Sequence, residues 1–334
     1  MLDHALAAFS IKPDYDLDLM RPRQTLSALT ARILAALDPV LDTERPDLVV
    51  VQGDTTTTLA AALAAFYREI PVAHVEAGLR TGDMTQPFPE EMNRVLTSRL
   101  AAWHFAPTAR ASEALLREGT APGNIFVTGN TGIDAVLYVR DALDSGALPA
   151  PDWPWLEPGK HLILVTSHRR ESFGPAFESA MRALARLASR EDIQIAYPVH
   201  RNPRVAGPAH ELLAGLPRVI LLDPLPYVPF VDLMRRSKLI VTDSGGIQEE
   251  APSLGKPVLV LRAKTERPEA VEAGTVILVG SNEDRIVAEV SRLLDDPAEY
   301  ARMTRIHNPY GDGHASERIA RMLAEAETER TQLS

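Results

Sequence analysis

The stretch PAPDWPWLEPGK, residues 149–160, separates two series of short apolar runs, and this division decides the fold. Each run is continuous rather than alternating, as in strands that are buried on both faces of a sheet. Helical segments of about 10–15 residues fill the gaps between the runs, so parallel βαβ units are expected. The sequence therefore predicts an α/β protein with two doubly wound parallel sheets. The runs are residues 47–52, 70–76, 101–107 and 124–129 before the break, and 161–167, 193–199, 218–223, 238–243, 256–261 and 275–280 after it.

Composition narrows the classes of function. The chain has 334 residues and no cysteine, which excludes disulfides, thiol nucleophiles and cysteine-based metal sites. Its formal net charge of −10 argues against nucleic-acid binding, although a local cluster of arginines could still hold a small anionic substrate. No apolar run approaches the roughly 18 residues of a membrane helix, and residues 1–16 lack the pattern of a signal peptide. We therefore expect a cytoplasmic protein with neither nucleic-acid nor membrane partners.

A carboxylate follows the first predicted strand, at the end where parallel sheets bind ligands. Gly53 and Asp54 lie between the strand at 47–52 and a helix that opens with a run of threonines. Two interpretations are open for Asp54. It could cap the helix, since aspartate and threonine are good capping residues, or it could direct its carboxylate towards a ligand.

A second charged stretch, HVEAGLRTGDMTQPFPEEMNR at 74–94, follows the next strand. Glu90 and Glu91 open a predicted helix, where a favourable interaction with the helix dipole would explain them. That explanation does not extend to Glu76, which ends the strand. It also does not explain the clustering of these acids with Asp54, so we interpret the stretch as a candidate reactive surface for proton transfer.

A basic cluster, His168, Arg169 and Arg170, follows the strand at 161–167. A single histidine is more often structural, but this run at the carboxyl end of a strand favours a site for a phosphate or a leaving group.

A glycine-containing turn follows the strand at 238–243. Ser244, Gly245 and Gly246 open a helix there, and main-chain N–H groups at such a turn can hold a diphosphate. Two glycines alone are common in βα turns. Glu250, which could bind ribose hydroxyls, and the nearby Arg267 favour a nucleotide site.

Eight motifs, in this order along the chain, resemble those of the non-hydrolysing bacterial UDP-N-acetylglucosamine 2-epimerases: QGDT, HVEAGLR, PFPEEMNR, SHRRESFG, YPVHRNP, TDSGGIQEEAPSLGKPVLVLR, TERPEA and NPYGDGHAS. The resemblance implies a glycosyltransferase-B-like fold, in which two Rossmann-like domains face a cleft that holds the active site. We expect an amino-terminal domain over 1–155, joined by a helix at 311–334, and a UDP-binding domain over 156–310. The implied enzyme is an isomerase that interconverts UDP-N-acetylglucosamine and UDP-N-acetylmannosamine.

The resemblance also implies site residues and partners. The positions that match the family's catalytic residues are Asp54, Glu76, Glu90 and His168. In the stretch at 74–94 we therefore expect Glu76 and Glu90 to act in catalysis and Glu91 to face solvent. Those that match its UDP-binding residues are Phe230, Ser244, Gly245, Gly246, Glu250 and Arg267. Arg23 and His200 match two residues that bind a second, activating UDP-N-acetylglucosamine in some members. Members of the family are cytoplasmic homodimers that need no metal or nicotinamide cofactor, and they serve the synthesis of bacterial surface polysaccharides.

Two departures from the family's pattern generate expectations of their own. Leu225 stands where a glutamine that lines the uridine pocket is usual. The family's amino-terminal Gly-Thr-Arg-Pro-Glu segment, which supplies an arginine and a lysine to the active site, has no counterpart in this sequence. We expect the first domain to be truncated at its start, and an upstream extension of about 40–50 residues to raise activity and solubility.

The chemistry of the implied reaction favours elimination followed by re-addition. No carbonyl group is attached to C2 of the sugar, so its proton becomes labile only as UDP leaves C1. The resemblance implies that 2-acetamidoglucal forms and that UDP then adds back. Three alternatives stay open at this point: a hydrolysing epimerase, a UDP-sugar transferase on the same fold, and an inactive UDP-sugar binder.

Overall fold

The computed structural model describes residues 6–167, 173–305 and 308–333, with side chains described as far as residue 325. It divides into two compact units. The amino unit comprises Pro13–Asp134 and Tyr310–Ser334, and the carboxy unit comprises Met1–Lys12 and Ala135–Pro309. Each unit contains one parallel sheet, so the predicted pair of α/β domains is confirmed. The domain limits drawn from the sequence stay a prediction.

The amino unit is built on four parallel strands in the order β1-β2-β3-β4. Each strand lies inside one of the apolar runs before the 149–160 break, and helices connect successive strands. The elements are α1 (Leu26–Glu44), β1 (Val49–Gln52), α2 (Thr56–Phe66), β2 (Val72–Val75), α3 (Glu90–Leu100), β3 (Trp103–Ala106), α4 (Ala109–Arg117), a 3₁₀ turn (Pro122–Asn124), β4 (Ile125–Val127) and α5 (Thr131–Asp144), which continues beyond this unit.

The carboxy unit is built on six parallel strands in the order β10-β9-β8-β5-β6-β7. The chain winds outward from the β5–β8 pair in both directions, so this pair is the switch point at which doubly wound sheets bind ligands. The elements are β5 (His161–Thr166), α6 (Pro175–Leu187), β6 (Ile193–Pro198), α7 (Pro203–Leu213), β7 (Val219–Leu222), α8 (Tyr227–Arg236), β8 (Leu239–Thr242), α9 (Gly245–Ser253), β9 (Val258–Val260), α10 (Pro268–Ala273), β10 (Val276–Leu278), α11 (Glu283–Asp295) and α12 (Pro297–Thr304).

Both faces of the amino sheet are covered by helices, as its continuous apolar strands require. On one face, Val51 and Val72 pack with Ala62 and Ala65 of α2. On the other face, Phe105 of β3 packs against Ile319 of the last helix, α13 (Ala315–Leu333). The amino unit therefore takes one of its two helical layers from the carboxyl-terminal end of the chain.

The attachment of α13 is polar as well as apolar. The carboxylate of Asp134 accepts hydrogen bonds from the main-chain N–H groups of Ala315 at 3.2 Å and Ser316 at 3.0 Å. Arg318 donates to the carbonyl oxygen of Thr128 at 3.0 Å. These bonds satisfy N–H groups that the first turn of a helix otherwise leaves without partners.

Threonine side chains begin three helices of the amino unit. Thr25, Thr55 and Thr108 each accept a hydrogen bond from the main-chain N–H of the third residue that follows, which is a standard N-cap. Within the described residues, no helix combines the length and the apolar character that crossing a membrane requires.

The loop that follows β2 approaches α4 most closely at Gly78, which has a φ of +91°. A Cβ at this position would lie 2.3 Å from the carbonyl oxygen of Ala111 and 3.0 Å from a methyl carbon of Leu115. Gly82 of the same loop has a φ of +80° with no atom within 4 Å of the equivalent point. An alanine at Gly82 would therefore meet only the cost of a left-handed backbone, whereas an alanine at Gly78 would also clash with α4.

We expect Gly82→Ala to lower the free energy of unfolding by about 1–2 kcal/mol, the cost of a left-handed alanine. Gly78→Ala should lose about 1–3 kcal/mol more, because its methyl group must displace the α4 backbone. Urea denaturation of both variants measures the difference. Equal losses would contradict the close approach of the loop to α4.

Candidate functional site

Asp54 and Glu76 follow neighbouring strands and lie at the same edge of the amino sheet. Gln52 pairs with Val75 in the β1–β2 ladder, so Gly53 and Glu76 come next along the two strands. The Glu76 Oε2 atom lies 3.6 Å from the point that a Cβ on Gly53 would occupy. Glu76 itself has a φ of +63°. Non-glycine residues rarely adopt this backbone conformation, and it is concentrated at functional sites.

The side chain of Asp54 does not cap the helix that follows it. Thr55 is the N-cap of α2, and its Oγ1 accepts the N–H of Thr58 at 3.2 Å. The Oδ2 atom of Asp54 instead accepts hydrogen bonds from Arg94, at 2.7 Å from Nη2 and 3.0 Å from Nε. Asn93 donates to the main-chain carbonyl oxygen of Asp54 at 2.8 Å. Of the two interpretations of Asp54, the capping one is therefore wrong.

The prediction that Glu91 faces solvent was wrong, because this side chain is only 1% exposed. Its Oε1 atom accepts hydrogen bonds from the main-chain N–H groups of Thr81 and Gly82, both at 2.9 Å. Its Oε2 atom pairs with Nη1 of Arg94 at 3.0 Å. Sequence reasoning did not assign a role to Arg94 or Asn93. The i,i+3 spacing of Glu91 and Arg94 was the available signal, but such pairs usually lie on exposed helix faces.

The loop between β2 and α3 is fixed from a second side by Arg80. This side chain donates to both carboxylate oxygens of Glu118, at 2.8 and 2.9 Å, and to Ser98 Oγ at 2.9 Å. The Arg80 guanidinium accordingly lowers the pKa of the Glu118 carboxyl group. Glu90, the remaining predicted acid of this unit, is half-buried at the first position of α3.

Two buried histidines lie beneath this edge of the sheet. His74 and His104 are register partners on β2 and β3 and are 0% and 2% exposed. The Nε2 atom of His74 lies 2.8 Å from the carbonyl oxygen of Gly53 and therefore donates to it. Burial lowers the pKa of each histidine to about 4, so both imidazoles are neutral at pH 7.

In the carboxy unit, the ends of β5 and β8 are joined at the switch point. The hydroxyl groups of Thr166 and Thr242 are 2.6 Å apart, and Ser167 Oγ donates to Asp243 Oδ2 at 2.8 Å. The main-chain N–H of Ser244 donates to Thr242 Oγ1 at 2.9 Å. The turn that leads into α9 is thus held directly above the β5–β8 pair.

Five of the six predicted UDP-binding residues lie at or against the start of α9: Ser244, Gly245, Gly246, Glu250 and Arg267. A Cβ on Gly245 would lie 2.7 Å from both Cζ and Nη1 of Arg267, so only glycine admits the guanidinium at this distance. A Cβ on Gly246 would lie 3.5 Å from Oε1 of Glu250. The turn therefore combines main-chain N–H groups, a guanidinium and a carboxylate.

Arg267 is held by two buried acids that sequence reasoning did not identify. Its Nε pairs with Glu249 at 2.5 Å, and its Nη1 pairs with Glu266 at 2.9 Å. Glu266 is in turn paired with Arg262 at 2.7 Å. In the sequence, these two acids appear only as members of charged pairs, EE at 249–250 and ER at 266–267. Such a pair does not indicate which of its residues is buried.

A cavity of about 190 Å³ opens at the carboxyl ends of β5 and β6. Phe230, which we predicted to bind UDP, shares its wall with Leu225 and with His200, which we predicted to bind an activator. Ile247 of α9 also lines it, so the cavity adjoins the glycine turn. Its complete lining is Thr166, Ser167, Pro198, His200, Pro224, Leu225, Phe230 and Ile247.

One of the two remaining predicted site residues falls outside the described residues, and the other belongs to the amino unit. His168 falls outside the described residues. Arg23 lies in the amino unit before α1, exposed and with a φ of +56°. Within the described parts of the chain, no group of three or more histidine, aspartate or glutamate side chains is arranged to hold a metal ion.

Two Rossmann-like units of this kind define an α/β protein of glycosyltransferase-B-like architecture. The family model for UDP-N-acetylglucosamine 2-epimerase matches residues 1–324. The chain is 58% identical over 328 residues to the UDP-N-acetylglucosamine 2-epimerase of Escherichia coli, covering 97% of this chain and 87% of that one. It is 50% identical to the Bacillus subtilis enzyme of the same name, covering 97% of this chain and 84% of that one.

Solved structures give the same result. A UDP-GlcNAc 2-epimerase from Neisseria meningitidis, solved with UDP-GlcNAc bound, superimposes with a TM-score of 0.91 at 47% identity, over 97% of this chain and 88% of that one. The chain belongs to the UDP-N-acetylglucosamine 2-epimerase family and is an isomerase. The family predicted from the motifs is confirmed.

The buried histidines make the stability of the protein dependent on pH. Their pKa in the folded state, about 4, is below the value of about 6.5 in an unfolded chain. Protons therefore bind preferentially to the unfolded state, and stability that is present above pH 6.5 is lost as the pH falls towards 4. Between pH 7 and pH 5 each histidine should cost about 2 kcal/mol.

We expect His104→Gln, which cannot titrate, to remove about 2 kcal/mol of this difference between pH 7 and pH 5. Urea denaturation at both pH values measures it within each variant, so a general loss of stability does not affect the result. The control is His210→Gln, an exposed position on α7. A His104→Gln variant with the pH dependence of the parent chain would disprove the assignment.

Proposed function

We propose that this epimerase interconverts UDP-N-acetylglucosamine and UDP-N-acetylmannosamine without net hydrolysis and without a metal or nicotinamide cofactor. The observation that carries the proposal is the position of the Arg267 guanidinium against the Gly245 turn of α9. A fixed cation beside main-chain N–H groups is the arrangement that a departing diphosphate requires. The names of the relatives support the choice of substrate.

The remaining parts of UDP are assigned to neighbouring groups of the carboxy unit. Glu250 lies one turn along α9 from the glycines, where its carboxylate can accept hydrogen bonds from ribose hydroxyls. The cavity lined by Phe230 takes the uracil ring, which can pack against the phenyl face. Leu225 gives this wall an apolar surface.

The reaction proceeds by elimination and re-addition. The C1–O bond breaks with its electron pair leaving on UDP, a base removes the proton from C2, and a C1=C2 double bond forms to give 2-acetamidoglucal. A proton then reaches C2 from the opposite face as UDP adds back to C1. No water is consumed, and the configuration at C2 is inverted.

Acid and base groups for the two faces of the sugar come from the amino unit. Asp54, Glu76 and Glu90 are the carboxylates that we assign to this work, and each such group accounts for a rate factor of roughly 10²–10⁴. His168 is assigned to the departing diphosphate. Gly53 and Glu76 directly follow the paired residues Gln52 and Val75, so Asp54 and Glu76 lie at the same edge of the amino sheet.

The proposal extends to the location, the oligomeric state and the pathway of the protein. We assign it to the cytoplasm as a homodimer that supplies N-acetylmannosamine units for a bacterial surface polysaccharide. A second UDP-N-acetylglucosamine acts as an activator through Arg23 and His200. Because His200 lines the same cavity as Phe230, the activator and the substrate contact neighbouring groups.

The reaction is tested by incubating UDP-N-acetylglucosamine with the protein in D₂O and recording proton NMR spectra. We expect the C2 proton signal to disappear while UDP-N-acetylmannosamine accumulates. Glu76→Gln should slow this exchange about 10²-fold or more, with Glu113→Gln on the exposed face of α4 as the control. Free N-acetylmannosamine as the main product would instead identify a hydrolysing enzyme.

The nucleotide site is tested by calorimetry with UDP. Arg267→Ala and Glu250→Ala should each weaken binding by about 1.5–3 kcal/mol, the scale of a hydrogen bond to a charged group. Arg285→Ala, at an exposed position on α11, is the matched control. Unchanged UDP affinity in both site variants would remove the turn of α9 from the nucleotide site.

A further inference from the structure

We propose that Arg94, with Asn93 and Glu91, is a positioning residue for Asp54. It holds the Asp54 carboxylate in one orientation and links it to the loop that carries Glu76. The inference rests on the proposed catalytic role of Asp54. It assigns a function to three buried polar residues of α3 that no step of the proposed reaction uses.

The first line of evidence is the number of contacts on Asp54. Two nitrogens of Arg94 converge on the Oδ2 atom, at 2.7 and 3.0 Å, while Asn93 donates to the main-chain carbonyl oxygen at 2.8 Å. On the other side, His74 donates to the preceding carbonyl oxygen, that of Gly53, at 2.8 Å. The backbone and the carboxylate of this residue are therefore both fixed.

The second line of evidence is the route from Arg94 to the loop after β2. The remaining guanidinium nitrogen, Nη1, pairs with Glu91 Oε2 at 3.0 Å. The other oxygen of Glu91 accepts the N–H groups of Thr81 and Gly82. A single chain of hydrogen bonds thus runs from Asp54 through α3 to the loop that begins at Glu76.

The burial of these groups shows that the chain of bonds is not a surface feature. The side chain of Arg94 is 5% exposed and that of Glu91 is 1% exposed, whereas Asp54 is 30% exposed. Removing charged groups from water is costly unless their partners are well placed. The buried pair therefore supports the one member that remains accessible to a substrate.

The shape of the arginine side chain is essential to this role. The planar guanidinium group of Arg94 donates in fixed directions to the carboxylates of Asp54 and Glu91 at once. A lysine ammonium group is a single point charge on a flexible chain. Arg94→Lys therefore keeps the charge and loses the orientation. Misplacement of a catalytic group by about 1 Å can cost about 10²-fold in rate.

The experiment is a double-mutant cycle on kcat with Asp54→Asn, Arg94→Lys and the combined variant. We expect Arg94→Lys to lower kcat about 10²-fold with KM and UDP affinity unchanged. In the Asp54→Asn background the same change should have little further effect, because the group that Arg94 orients is already lost. Two additive losses would overturn the inference, since they indicate a structural role that is independent of Asp54.

Two further variants keep the test decisive if Arg94→Lys does not fold. Asn93→Ala removes only the bond to the Asp54 carbonyl oxygen and should lower kcat without changing KM. The matched control is Arg68→Lys, which alters a similar arginine fork on Asp38, at 2.7 and 3.1 Å, on the amino-terminal side of β2. It should leave kcat unchanged.

The outcomes also separate this inference from the proposed function. If Asp54→Asn retains the parental rate, the catalytic role of Asp54 fails and the positioning role fails with it. If Asp54→Asn is slow while Asn93→Ala and Arg94→Lys turn over normally, the proposed function stands and the positioning inference alone is wrong.

Discussion

Parallel strand pairing is the constraint on which both sites depend, because it brings the loops after neighbouring strands to the same edge. In the amino sheet, the pair Gln52 and Val75 is followed by Gly53 and Glu76. In the carboxy sheet, the pair Thr166 and Thr242 is followed by Ser167 and Asp243, whose side chains bond to each other. Residues that are far apart in the sequence are thus brought together by register alone.

Each site adds a buried arginine held between two carboxylates. Arg94 lies between Asp54 and Glu91, and Arg267 lies between Glu249 and Glu266. A guanidinium with two anchors cannot turn freely, so its charge and the carboxylates that it holds are already oriented before any ligand binds. Such preorganisation is the main source of electrostatic catalysis, because no reorganisation is needed as charge develops.

The sequence was sufficient to predict the strands and the position of Asp54 and Glu76 after two of them, but it did not reveal the groups that hold these acids. All ten apolar runs contain a strand, since a continuous apolar run has few other stable arrangements in an α/β protein. Glu91 was wrongly predicted to face solvent. Neighbouring glutamates at 90 and 91 are indistinguishable by propensity, and the side chain that is buried is decided by loop residues 81 and 82, which fold over it.

The same limit applies to Arg267 and its anchors. The sequence indicates an arginine near a glycine turn, but the approach of the guanidinium to Gly245 depends on the path of residues 262–267 after β9. The buried ion pair between Arg267 and Glu249 joins residues 18 positions apart, so local spacing does not reveal it. Long-range polar contacts are therefore the part of the site that a structure adds.

The position of α13 in the amino unit has a consequence for the synthesis of the protein. The strands of this unit are translated before those of the carboxy unit, yet the helix that covers Phe105 is translated after them. Until then, Phe105 and the residues that pack with it on this face lack the α13 side chains that cover them. The hydrogen bond between Arg318 and Thr128 closes a separation of 190 residues. The carboxy unit, which is nearly continuous in sequence, can finish folding earlier. The amino unit is thus completed only after the carboxy unit has been translated, and the apolar side chains around Phe105 can associate with other chains during that interval.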